Sequence, residues 1–425
     1  MKTSTRFTRI SKLTARAALA LGVATILTSQ IHATDGTWAN PTYTSGTFTG
    51  VGSGGQFTFP GTALAVGDVI QATQAASGLN NNTLYYVVGV SGTTYTLSAT
   101  PGGTPLATSL TTTVTFNAAL DWSSTASWTS GSVPSGTDAV ATIATVSGTP
   151  NSYNIIIDAD MTVGQIIASQ NNKQWSLVSS NNNGSGTALA ALNFATTGAT
   201  PGGPLIQTNT QLLRVGFNDA SFKGGSLKIT GSQGLTLVSG ASTEIRLETI
   251  DWSGFTDGAG GAGTVTVQSG KVANMGNGLG TATTCTNLVV GNSSSSASAK
   301  AEMAVNNQGD LTINNLDGNQ YGYVSGPTTN IKWLYIGQRN GTNTDFTGTI
   351  GTDRAGTAAP VVLVKNGTGT QTISGTIANG TVTVNAGTLT LGGTNTYAGG
   401  TTLAVGTLNV NSTTALGGAA GAITL

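Results

Sequence analysis

Charge is what this sequence has least of. Aspartate, glutamate, lysine and arginine make up 8% of it, against about 25% in an ordinary soluble domain. Disordered chains combine high net charge with low hydrophobicity. Here 38% of residues are apolar, so ordered β-structure is expected. Cysteine and histidine occur once each, as Cys285 and His32. A lone cysteine excludes an intrachain disulfide. Cys285, in the strand-like run TTCTNLVVG, is expected to be buried and inert.

The first 33 residues read as a segment outside the fold. Lys2, Arg6, Arg9, Lys12 and Arg16 precede the apolar run AALALGVATIL (17–27), and TSQIHA follows, with Ala33 at the expected cut. This is the layout of a secretory signal peptide. The run is too short to span a membrane as a helix, which takes about 20 residues. Five of the 16 basic residues and none of the 16 acidic ones lie in this segment. Its removal leaves 11 basic against 16 acidic residues, a net charge of −5. It also removes His32, which excludes His-based acid–base catalysis, Ser-His-Asp triads and His-ligated metals. No Lys or Arg occurs between Arg16 and Lys173, so no nucleic-acid partner and no phosphate-reading basic patch are expected.

What is present is short alternation. LYYVVGV (84–90), TYTLSA (94–99), YNIIID (153–158), SLKIT (226–230), LTLV (235–238), EIRLE (244–248), TVTVQ (264–268), LTIN (311–314) and WLYIG (333–337) read as strands separated by Gly, Asn, Ser or Pro. No stretch after the leader reads as a helix. Three regions follow. Residues 34–118 are rich in Gly and Thr and lack Lys and Arg; residues 119–360 hold irregular strands and most of the charge; residues 361–425 are nearly pure repeat, with Lys365 their one charge.

In the last region GTLTLGGTNT (387–396) aligns with GTLNVNSTTA (406–415), and GTVTV occurs at both 263–267 and 380–384. A period near 20 residues with short strands predicts a stacked solenoid, since one unit cannot bury both strand faces alone. Thr and Asn at equivalent positions would form ladders at ~4.8 Å spacing.

GTLTLGGTNTYAGGTTLAVGTLNVN resembles the autotransporter-associated β-strand repeat of bacterial surface passengers. The matching positions are Gly387 to Leu391, Gly393, Asn395, Tyr397, Gly399 to Thr402, and Gly406 to Leu408. The resemblance implies an all-β chain: a right-handed parallel β-helix, here preceded by a small N-terminal β-module. It implies export to the cell surface, outer membrane or exterior, and no catalytic residues, cofactor or metal. DWSSTASWTSGSVPSGTDAVATI (121–143), with Trp122, Trp128, Gly131, Pro134 and Asp138, is similar to the family's Trp-rich opening, and DGTWANPT (35–42) to its first half. Between the halves, TFPGTALAVGDVIQAT and LYYVVGVSGTTYTLSATPGGTPL are similar to a small β-module of phage-tail and surface proteins. Residues 43–118 are therefore expected to be an inserted module.

Several carboxylates are candidates for chemistry. Asp158 and Asp160 in IIIDADM fit a Ca²⁺ pair, an acid/base pair, or a solvated strand end, the last being favoured. Glu244, Arg246 and Glu248 alternate with Ile245 and Leu247, which predicts an outward ion-pair row. Asp251 and Asp257 flank Trp252 and Phe255, a pattern for sugar binding or for a cap over the core. GVGSGG (50–55) precedes no helix and carries no dinucleotide expectation, and SGKVAN around Lys271 lacks the upstream Gly of a P-loop.

The expectation for function is a non-catalytic, secreted or surface-displayed passenger with a structural or adhesive role, an elongated rod of roughly 60–70 Å. Its partner would be a surface glycan or a host-surface ligand. The alternatives are a β-helical lyase or glycosidase using Asp158, Asp160, Glu244 or Glu248, and a carbohydrate binder using exposed Trp252 or Tyr residues. The mature chain is expected to have no transmembrane segment. The sequence after residue 402 leaves no room for a membrane barrel. A fragment, or a passenger served by a separate or missing translocator, is expected.

Overall fold

The computed structural model describes residues 33–425 apart from 39–48, 51–55, 59–63, 73–78, 81–83, 101, 108–115, 119–120, 144–151, 170–173, 180–189, 199–201, 210–211, 217–226, 342–343 and 419–420. Residues 1–32, on which the expected signal peptide falls, Lys173, Lys223 and most of GVGSGG lie outside the described residues. The fold is all-β. Each of the nine segments predicted from alternation forms or overlaps a strand. Among the described residues the only helical element is one 3₁₀ turn, Thr125–Ser127, and no helix is long and apolar enough to cross a membrane.

Two kinds of sheet occur. Residues 49–118 contribute an antiparallel six-stranded sheet, in the order Thr49–Gly50, Gln56–Thr58, Thr94–Ser98, Leu84–Ser91, Val69–Ala72, Phe116–Ala118. Phe57, Ile70, Tyr85, Val87, Tyr95 and Leu97 form its own core. The strands Gly36–Thr37 and Val140–Ile143, on either side of it in sequence, pair with each other in parallel. Trp38, Trp122 and Trp128 close over this start. Their rings meet edge-on at 5.0 Å, Trp128 Nε1 donates to the Trp122 carbonyl at 2.8 Å, and Asp35 Oδ1 accepts the Val140 N–H at 2.7 Å.

From Val140 onward the named strands pair only in parallel. One column of strands passes through Ser152–Ile157, Gln174–Ser179, Leu212–Val215, Glu244–Leu247, the end of Thr264–Asn274, Ala301–Val305, Gly322–Ser325, Thr349–Ile350 and Thr376–Ile377. Its inward residues stand in file: Trp175, Leu213, Ile245, Val272, Met303, Val324, Ile350, Ile377, each buried in one continuous core. Strand neighbours lie ~4.8 Å apart, and each full burial contributes about 1.5–3 kcal/mol. That file is why the pairing keeps its register although the segments between strands vary in length.

In the repeat region Thr388–Leu391 pairs with Thr407–Val410, Leu389 on Leu408, with Asn409 Nδ2 donating to Thr390 Oγ1 19 residues earlier. That is the register of the sequence alignment. Gly380 starts its strand at φ +124°, and a Cβ there would lie 1.9 Å from the Val361 carbonyl, so no side chain fits.

The strand Thr264–Asn274 belongs to two columns and bends between them at Gly270, φ +77°. Ser239 pins the bend: its Oγ accepts the Lys271 N–H at 2.7 Å and donates to the Lys271 carbonyl at 3.0 Å. The next residue on the strand is Lys271, whose Nζ reaches Glu244 Oε2 at 3.2 Å.

Candidate functional site: a charged groove on one parallel sheet

Parallel pairing puts residues of equal register in line. On the outward face of the column just described, Glu244, Lys271, Glu302 and Tyr323 are successive partners. One row along, Arg214 stands beside Arg246. Like charges so placed repel, and each arginine is offset by a glutamate. Glu248 holds Arg214 through two contacts, Nε–Oε1 at 2.5 Å and Nη2–Oε2 at 3.1 Å. Glu244 takes Arg246 Nε at 2.5 Å and Lys271 Nζ at 3.2 Å.

A loop roofs this face. Residues 351–359 form a narrow arm closed by a bridge between Thr352 and Ala358, and its turn is tied by Asp353 Oδ1, which accepts the N–H groups of Ala355 and Thr357. At the tip Arg354 reaches back 113 residues and donates from Nη2 to the Ala241 carbonyl at 2.7 Å. Its Nε lies 3.7 Å from Glu302 Oε2. Lys300 Nζ donates to the Arg354 carbonyl at 3.1 Å and sits 5.1 Å from the Tyr323 ring centre. Two hollows share Arg354 and Ala241 as a border. One, of about 590 Å³, is lined by Asn209, Ser239, Ser298 and Lys300; the other, of about 430 Å³, by Gln174, Glu244, Arg246 and Lys271. A third, of about 500 Å³, has neutral polar walls that include Asn193, Thr196, Thr230 and Gln233.

The outward row predicted for EIRLE is corrected in one residue. Glu248 lies past the strand end, 6% exposed, and pairs with Arg214 of the preceding strand rather than with Arg246. The aromatics of DWSGFTD are not a sugar platform. Trp252 and Phe255 are 1% and 2% exposed, their rings meet at 5.0 Å, and Trp252 Nε1 donates to the Gly278 carbonyl at 2.9 Å. This removes the carbohydrate reading built on exposed Trp252. Asp251 accepts the Ser253 N–H, and Asp257 those of Ala259 and Gly261, which hold its carboxyl below the usual range.

Asp158 and Asp160 do not continue a strand. They flank a bend, where Asp158 accepts the Ser123 N–H and hydroxyl and Asp160 accepts the Ala191 N–H at 2.7 Å. Among the described residues no group of three or more His, Cys, Asp or Glu is placed to hold a metal ion. Cys285 is buried between the turn at 282–284 and the strand Asn287–Val290 rather than in a strand. Burial pushes its thiol up to about 11, against which the nearby Arg339 acts.

Sequence reading missed Lys300 and Arg354 altogether, because they meet each other, Glu302 and Ala241 only through stacking and the roofing arm. The one signal for them was that basic residues are rare and recur on the same sheet face. No protein family, no curated protein and no solved structure matches this chain.

Proposed function

We propose that the chain is a non-catalytic β-solenoid passenger, exported by its leader and displayed at a bacterial surface, with a structural or adhesive role. The observation that carries this reading is the parallel pairing from Val140 to Thr424, unit on unit, with the register shifted only at two bulges, at Lys228–Thr230 and Leu237–Val238. A solenoid wound right-handed, as parallel crossovers are, accounts for several parallel strand columns that share one continuous buried core. Polar side chains in the core are used to join units: Asn395 Oδ1 accepts the Ile377 N–H at 2.7 Å and its Nδ2 donates to the Ala415 carbonyl at 2.6 Å. The antiparallel sheet of residues 49–118 is read as an insertion, because the segments flanking it pair with each other.

Nothing favours the polysaccharide-cleaving alternative. Asp158 and Asp160 hold backbone N–H groups, and Glu244 and Glu248 each hold a cation. The test is expression of the full chain in a Gram-negative bacterium, followed by fractionation and N-terminal mass measurement. A periplasmic, surface or secreted product starting near Thr34 supports the reading. A cytoplasmic product with an intact N-terminus overturns it.

A further inference from the structure

The charged groove has more cation than its own ion pairs use. Of the 11 basic residues after Ala33, five stand here: Arg214, Arg246, Lys271, Lys300 and Arg354. Three acids, Glu244, Glu248 and Glu302, face them. With Asp353 of the arm counted among the acids, the groove carries +1 in a chain whose remainder after residue 33 is acidic. A ladder serving stability alone needs balance, and exposed pairs contribute little in any case.

The donors are also only partly used by the contacts within the groove. An ammonium has three N–H groups and a guanidinium five. Lys271 Nζ directs one to Glu244, and Arg354 gives Nη2 to Ala241 while its Nε stays beyond hydrogen-bond distance of Glu302. Both side chains line the hollows.

We propose that the two hollows joined at Arg354 form a binding site for a uronate oligosaccharide, with Lys271, Lys300 and Arg354 pairing its carboxylates and the Ser, Asn and Gln walls meeting its hydroxyls. At about 590 and 430 Å³ the hollows fall in the ~300–1,000 Å³ range of small-molecule sites, far beyond what one inorganic anion fills. Their walls carry hydroxyl and amide groups and no aromatic side chain. A single-stranded nucleic acid would need such rings to stack its bases. Successive carboxylates along a sugar chain can meet cations carried by successive elements, Lys271 on the strand Thr264–Asn274, Lys300 just before Ala301–Val305 and Arg354 on the arm, and bidentate or charge-assisted contacts of this kind are the strong ones. The inference deepens the adhesive role and rests on it for where the ligand is met, but binding is read on the isolated protein and does not depend on export.

The experiment is calorimetric titration of the purified chain with tetragalacturonate and a mannuronate tetramer. Methyl-esterified tetragalacturonate, inorganic phosphate and oligo-dT serve as comparisons. We expect saturable binding of at least one uronate, loss of binding with the ester, and weakening by salt. Arg354→Gln and Lys300→Gln should each weaken it roughly tenfold or more. Circular dichroism checks folding. Because Arg354 also anchors the arm, Lys271→Gln is the variant that decides if Arg354→Gln misfolds. The proposal is overturned if neither uronate binds, if the ester binds as well, if phosphate or oligo-dT binds more tightly, or if the folded variants bind like the parent.

Discussion

Gln371 and Leu316 exchange two hydrogen bonds across 55 residues of sequence. The Leu316 N–H donates to Oε1 at 3.0 Å, and Nε2 donates to the Leu316 carbonyl at 2.7 Å. The same amide takes the Thr344 hydroxyl at 3.0 Å and gives to the Thr344 carbonyl at 3.2 Å. One side chain, 1% exposed, therefore ties three successive units together.

Gln371→Leu keeps roughly the volume and removes every one of these bonds. Each buried group left unpaired costs about 1–3 kcal/mol. The expected result is faster hydrogen exchange at the Leu316 amide, with amides near Trp175 and Leu213 little changed, because units in a stacked array couple mainly to their neighbours. Unchanged exchange at Leu316 would refute the bridging role.

Lys365, the one charge in residues 361–425, is 1% exposed. Its Nζ donates to the carbonyls of Asn366 at 2.5 Å, Gly367 at 3.0 Å and Ala386 at 3.4 Å. Burial pushes its pKa down. The ammonium closes a turn by taking the carbonyls of three half-buried residues. Lys365→Met should lower thermal stability, by about 1–3 kcal/mol for the acceptors it abandons, and should loosen the 366–387 backbone in proteolysis. A variant as stable and as resistant as the parent would show that the turn does not need the cation.

How far the sequence reaches is clear from particular residues. The alignment of Leu389 with Leu408 is legible because stacking demands equal spacing, and the structure pairs those two. Trp38 and Trp128 are legible as halves of one motif and come together as bridge partners. Asn395 was visible only as a repeated polar position, and its two backbone partners are known from packing alone. Glu248 was placed on the wrong neighbour because period two holds only within a strand, and its strand ends at Leu247. Arg354 was illegible for a different reason: the arm that carries it crosses three strand units, and no local pattern encodes that reach.

Trp252 separates two roles that its sequence context left open. It is a core residue, with Nε1 on the Gly278 carbonyl and its ring on Phe255. Trp252→Ala should cost about 3–5 kcal/mol, the usual range for a buried aromatic, read as a lower midpoint in urea. Where the variant remains folded, uronate binding should match the parent. A stable variant that loses glycan binding would return the residue to a ligand-facing role.

Asp121 links the antiparallel sheet to the parallel one. It is 3% exposed; Oδ2 accepts the Val69 N–H at 3.2 Å, while Oδ1 has no partner. Beside it Val69, Ile156 and Val178 form a small apolar contact between the two sheets, with Tyr86 packed against it. Burial first, then the charges of Asp158 and Asp68, push the Asp121 carboxyl well above the usual range, and the Val69 N–H acts the other way. A carboxyl raised in the folded state binds a proton there that the unfolded chain has released. Its contribution to stability is then fully present below the unfolded value, about 3.9, and is lost as pH rises through the raised one. Asp121→Asn keeps the shape and the acceptor without the ionisation. The variant should melt higher than the parent above that window, and the gap should close as pH falls toward about 4. Hydrogen exchange at the Val69 amide should follow the same course. A gap that does not vary with pH, or a parent that is the more stable at high pH, would mean that Asp121 is held ionised by something other than the groups around it here.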